Sequence, residues 1–170
     1  GTQSAGLFAF TADGAMSKRF HAGDAARAGV VAAELAAEGF SGPTEVYEAA
    51  DGGYLSAFAD RPEGRRLVDG LGEQWELLGT AFKPYSCCGS LHAYVDAALE
   101  LRDTVPIGPN TRIRIGLPKV VEVQCGFDYE VGSVLSAQMN ARFCVATALR
   151  HGDALPPEFE PERLVDEETV

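Results

Sequence analysis

A chain of 170 residues with 46% hydrophobic and 23% charged side chains has enough apolar matter to build a core, which excludes a disordered segment. Its 25 acidic against 14 basic residues, a formal charge of −11, argue against nucleic-acid or anionic-membrane partners. No stretch approaches the ~20 unbroken apolar residues of a membrane span, and the start lacks the basic residues of a signal peptide, so a cytoplasmic protein is expected.

"GTQSAGLFAF" opens without methionine and turns apolar almost at once, while "PERLVDEETV" stops without punctuation, so the chain reads as an excerpt of a longer one. Gly23 and Asp24 introduce "AARAGVVAAELAAEG", a helix with Asp24 as N-cap and Ala28, Val31, Ala32 and Leu35 on one stripe, closed by Gly39. A turn follows, then "YLSAFA" resumes a helical pattern; "RPEGRRLVDGLGEQW" is a short helix and a loop. "WELLGTAFKPYS" reads as extended, ending at Pro84, whose nitrogen has no hydrogen to donate. Ser90 caps a helix, "LHAYVDAALELRD", that runs out before Pro106. "NTRIRIGLP" alternates Ile113 and Ile115 with Arg112 and Arg114, the period of a half-buried strand, which "KVVEVQC" continues or pairs with. Leu135, Met139, Phe143, Ala146 and Leu149 then space out one long helix closed by Gly152. The character of the chain shifts once, near "GTAFKPYS": helical before it, strands and helices mixed after it.

Cys87, Cys88, Cys125 and Cys144 contain no Cys-x-x-Cys pair, and adjacent cysteines suit neither a tetrahedral zinc site nor a disulfide framework. Reduced thiols and no bound metal are expected. A cysteine nucleophile at Cys87 or Cys88 has no motif to support it.

Lysine usage is more informative. Three lysines, Lys18, Lys83 and Lys119, stand against eleven arginines. Two of the three pair with a histidine at a loop-to-helix junction. In "MSKRFHAG", Lys18, Arg19 and His21 crowd beside the expected helix start, where cations are locally unfavourable unless an anion such as a carboxylate sits between them. In "FKPYSCCGSLH", Lys83 precedes a helix whose first turn carries His92, with Asp96 four residues on and placed to orient the imidazole. A solvated basic loop and a packed core histidine are the structural alternatives to each.

"MSKRFHAGDAARAGVVAAELAAEGFSGP", "FKPYSCCGSLHAYVDAALEL" and "AQMNARFCVATALRHGDALPPEF" together resemble, in order, successive signatures of the MmgE/PrpD family. That family includes 2-methylcitrate dehydratase, cis-aconitate decarboxylase and iminodisuccinate epimerase. The resemblance implies an α+β fold class: part of an all-helical domain, residues 1–79, followed by part of a smaller α+β lid, residues 80–170. It implies a homodimer with a cofactor-free active site between the two domains. The family's K-x-x-H-x-G motif falls on Lys18 and His21, its second lysine on Lys83 and its helical histidine on His92. The decarboxylase carries a further histidine five residues after that lysine, where this chain has Cys88, which weighs against decarboxylation. The family's A-x-F-S before the last helix reads "AQMN".

The expected activity of the parent protein is therefore elimination or isomerisation on a small di- or tricarboxylic acid, dehydration first and epimerisation next. Lys18, His21, Lys83 and His92 are the expected catalytic residues, and Lys18, Arg19 and Lys83 the substrate-binding ones. The fragment alone is expected to be inactive. The alternative is a non-catalytic remnant serving as a structural or interaction module.

Overall fold

The structure is a computed structural model of the chain that describes residues 6–12, 15–108, 110–167 and 169. It divides into two compact units: unit 1, residues 1–6 and 21–81, and unit 2, residues 7–20 and 82–170.

Unit 2 holds the core. Helices α3 (His92–Thr104) and α6 (Ala141–His151) form its most extensive packing, through Leu91, Val95 and Ala98 on one side and Phe143, Cys144 and Ala148 on the other. The small residues on both faces let the backbones approach closely, as in any tightly packed helix pair. Around this pair stand α4 (Lys119–Cys125), α5 (Val134–Met139) and α7 (Pro161–Leu164). Phe143 stacks between Tyr129 and Phe159, with ring centroids at 4.9 and 5.9 Å.

One long final helix is not what forms. The chain breaks at Asn140, which closes α5 and caps α6 in an extended conformation, with φ −94° and ψ 121°. Its side-chain oxygen accepts the Phe143 N–H at 3.0 Å, and its Nδ2 donates to the Phe127 carbonyl at 2.7 Å, all in a fully buried position. Gly152 ends α6 in the left-handed region, φ 77°, as its place after the last helical turn requires.

The α+β expectation is overturned: among the described residues there is no strand. Residues 111–118 form neither helix nor strand, and no described segment supplies the hydrogen-bonding partner that a sheet requires. Ile113 and Ile115 instead border an apolar groove of about 340 Å³ with Tyr94, Ala98 and Leu101 of α3. "KVVEVQC" forms α4, burying Val121 and Cys125 at helical spacing.

In unit 1, helix α1 begins before Asp24: it spans Ser17–Ala37, with its first turn in unit 2. Asp24 is an interior residue paired with Arg27 at 2.7 Å rather than a cap. The Lys18 and Arg19 N–H groups bond to the Ala15 and Met16 carbonyls, so the anion-binding helix end expected there is already occupied. Unit 1 also carries α2 (Tyr54–Phe58) and 3₁₀ turns at Gly64–Leu67 and Glu76–Gly79. Val30, Val31 and Leu35 of α1 are exposed, and Gly53 is the one buried position among the described residues of this unit. No described helix is long and apolar enough to cross a membrane.

The core assignment makes a stability prediction. Phe143→Ala should cost about 3–5 kcal/mol, and Asn140→Ala about 2–4 kcal/mol, since it removes a cap and orphans a buried carbonyl. Leu101→Ala, half exposed on α3, should stay within about 1 kcal/mol. Urea unfolding followed by far-UV circular dichroism measures all three.

Candidate active site

The loop from Phe82 to Cys88 carries the second group of expected residues and is pinned by its backbone. Ser86 donates its N–H to the Ala154 carbonyl at 2.9 Å, and Cys88 donates to the Gln138 carbonyl at 2.8 Å. These two bonds tie the loop to the last turn of α5 and to the residues just after α6. Cys88 then leads into a 3₁₀ turn, Gly89–Leu91, continuous with α3. The expected Ser90 cap is absent; its hydroxyl donates to Gln124 at 3.1 Å.

That pinned loop faces a cavity of about 260 Å³ lined by Lys18, Lys83, Tyr85, Cys87, Cys88 and Met139 among others. Two lysines distant in sequence thus open onto one small space. The Lys18 Nζ contacts the Met139 sulfur at 3.3 Å and lies 5.6 Å from the centre of the Phe10 ring. The Lys83 Nζ donates to the Cys87 carbonyl at 3.2 Å. Neither lysine is paired with a carboxylate among the described residues, although the chain is strongly acidic. Arg19 turns to Gln138, donating to its side-chain oxygen at 2.9 Å. Lys119, by contrast, is exposed and bound to Glu122 at 3.0 Å.

His92 stands behind this wall. Its ring meets Tyr85 edge-on at 5.5 Å, and its Nε2 is buried without a hydrogen-bond partner. Asp96, expected to orient the imidazole, instead accepts the Tyr85 hydroxyl at 2.5 Å. That bond, with the nearby carboxylate charge, pushes the Tyr85 phenol up to about 12. His21 belongs to unit 1, where a Cβ on Gly6 would lie 3.6 Å from its Nδ1. Of the expected residues, then, Lys18 and Lys83 share one cavity, His92 is one ring removed from it, and His21 is placed in the other unit.

Residues 1–65 match the MmgE/PrpD N-terminal domain and residues 85–170 the MmgE/PrpD C-terminal domain. The chain belongs to the MmgE/PrpD family. Among its relatives is the "Cis-aconitate decarboxylase-like protein oryM" of Aspergillus oryzae, 29% identical over 96% of this chain and 37% of that protein. Another is the "Cis-aconitate decarboxylase" of Aspergillus terreus, 28% identical over 93% of this chain and 35% of that protein. The chain therefore spans little more than a third of the length of the curated relatives it matches. No solved structure is a significant match.

Sequence reasoning undervalued the thiols. All four cysteines are free, and Cys87 and Cys88 line the cavity together with the two lysines. The neighbouring Cys125 thiol, with the Ser90 N–H and the Lys18 charge, holds Cys88 down to about 5. The neighbouring Cys144 lowers Cys87 as well, while its own thiol donates to the Ala137 carbonyl at 3.3 Å, and the neighbouring thiols and burial push Cys125 and Cys144 up. The signal available in sequence was position: two cysteines in the loop that follows Lys83. No group of three or more His, Cys, Asp or Glu side chains among the described residues is arranged to hold a metal ion.

The Tyr85–Asp96 bond is directly testable. In Asp96→Ala the carboxylate that opposes phenolate formation is gone, so the Tyr85 titration should fall from about 12 towards the ordinary tyrosine value near ~10. Ultraviolet difference titration against Tyr85→Phe assigns the change to that residue.

Proposed function

We propose that the full-length protein is a cofactor-independent lyase or isomerase acting on a small di- or tricarboxylic acid, as a homodimer. The observation that carries this reading is the pair Lys18 and Lys83 on one small cavity, neither neutralised by an acidic side chain among the described residues. Two ammonium groups in a space of about 260 Å³ suit a compact polycarboxylate. Removing a proton next to a carboxylate builds negative charge on the substrate, and preset cations stabilise that charge as it forms. Imidazole, with an ordinary pKa near ~6.5, moves the proton, which gives His21 and His92 the acid/base or orienting roles.

The names of the relatives favour decarboxylation. Cys88, which stands where the decarboxylase carries histidine, favours dehydration first and epimerisation next. A screen of the full-length protein against citrate-like and aspartate-derived acids, reading carbon dioxide, alkene formation and loss of stereochemistry in parallel, separates these. Inertness towards the whole panel would leave the non-catalytic reading.

In the full-length enzyme, Lys83→Ala and Lys18→Ala should each lower turnover by ~10²- to 10³-fold. Lys83→Arg should restore only part of it, because a planar fork does not reproduce a compact ammonium. Lys119→Ala removes a solvated surface charge and should stay within about twofold. Equal losses at Lys83 and Lys119 in steady-state kinetics would refute the assignment.

A further inference from the structure

The first turn of α1 meets the last turn of α5 through two consecutive side-chain pairs in unit 2: Lys18 with Met139, and Arg19 with Gln138. The Gln138 carbonyl also takes the Cys88 N–H at 2.8 Å, so its backbone is tied to the loop that carries Lys83. Its side chain is half-buried and lines the Lys18–Lys83 cavity. A guanidinium can only donate, so the bond from Arg19 Nη2 at 2.9 Å decides which end of the amide is oxygen and which is nitrogen. The Gln138 oxygen is committed to Arg19, while no described residue accepts a hydrogen from its Nε2. The other neutral polar groups on this wall are placed differently. The Tyr85 hydroxyl gives its hydrogen to Asp96, and the Ser86 hydroxyl is free to rotate.

We propose that Gln138 is a substrate-contacting residue of this site, a neutral N–H donor to a hydroxyl oxygen carried between the carboxylates that Lys18 and Lys83 bind, and that Arg19 is the residue that positions it. The proposal rests on the reading of the cavity as a polycarboxylate site. Two ammonium groups attract charge and distinguish poorly between acids of equal charge. An amide that offers hydrogens only adds what they lack: it rewards an acceptor oxygen at one place and gains nothing from a C–H there. As a hydroxyl leaves, negative charge grows on its oxygen, and an N–H donor facing it stabilises that charge without giving up a proton. Arg19 acts through the amide, holding its oxygen so that the hydrogens stay turned away from the guanidinium.

Isothermal titration calorimetry of the full-length protein with citrate and with tricarballylate, the analogue with hydrogen in place of the hydroxyl, reads this donor. Wild type should bind citrate ~10-fold more tightly than tricarballylate. In Gln138→Met or Gln138→Leu, whichever keeps the wild-type far-UV spectrum, the ratio should fall to about one, with tricarballylate affinity within about twofold of wild type. Arg19→Met leaves the amide free to turn and should lose most of the preference, whereas Ser86→Ala should keep it. A Gln138 variant with the wild-type ratio, equal loss of both acids in that variant, or a wild type without preference would overturn the proposal and leave the polycarboxylate reading standing. An Arg19→Met protein with the wild-type ratio would overturn the positioning role. A wild type that binds neither acid would overturn the polycarboxylate reading and the proposal with it.

Discussion

The close approach of α3 and α6 is the constraint on which the rest of unit 2 depends. Leu91, Val95 and Ala98 share one buried cluster with Phe143, Cys144 and Ala148 of α6. Once α6 is fixed, Asn140 fixes α5, since one side chain both starts α6 and anchors the Phe127 carbonyl. Then α5 fixes the loop, because the Gln138 carbonyl takes the Cys88 N–H. Lys18 is seated against Met139, the last residue of α5. The cavity is therefore a by-product of helix packing, and its lysines are placed by backbone hydrogen bonds and soft contacts rather than by ion pairs.

That choice of contacts bears on the chemistry. A lysine held by a carboxylate has spent its charge, whereas one held by a sulfur, an aromatic face or a carbonyl retains it. Lys18 and Lys83 are held in the second way, and Lys119 in the first. In a chain with twenty-five acidic residues, neither of these two ammonium groups is paired with a carboxylate among the described residues. Membership of the MmgE/PrpD family gives the arrangement a context in which carboxylates are the substrates named for relatives.

What was legible in the sequence was whatever depended on local spacing or on rarity. The helices at 92–104 and 54–58 follow from apolar periodicity, and the end of α6 follows from Gly152. Lys18 and Lys83 stood out because lysine is scarce. What escaped depended on partners distant in the chain. Ile113 and Ile115 alternate as a strand would, but a strand exists only when a second one aligns, and the side chains found α3 instead. Asp96 has the right spacing for His92, but Tyr85 claims it through a contact that periodicity cannot express. The start of α1 was placed at Asp24 because a good capping residue outweighed the helix-forming Lys18, Arg19 and Ala22 before it. Asn140 was the reverse case: a capping residue overlooked inside a strong apolar pattern.

The distribution of buried surface has a calorimetric consequence. The heat capacity gained on unfolding comes from apolar surface newly exposed to water, and in this chain that surface belongs almost wholly to unit 2. Melting of the 170-residue chain would therefore carry the increment of a domain of roughly 100 residues, ~1.2–1.5 kcal/mol/K, rather than that of its full length. Its stability curve would be flatter than its mass suggests. Temperature would act on α3, α6 and the loop between Lys83 and Cys88 as one cooperative body, while the 60 or so residues after Phe20 contributed little to the measured enthalpy.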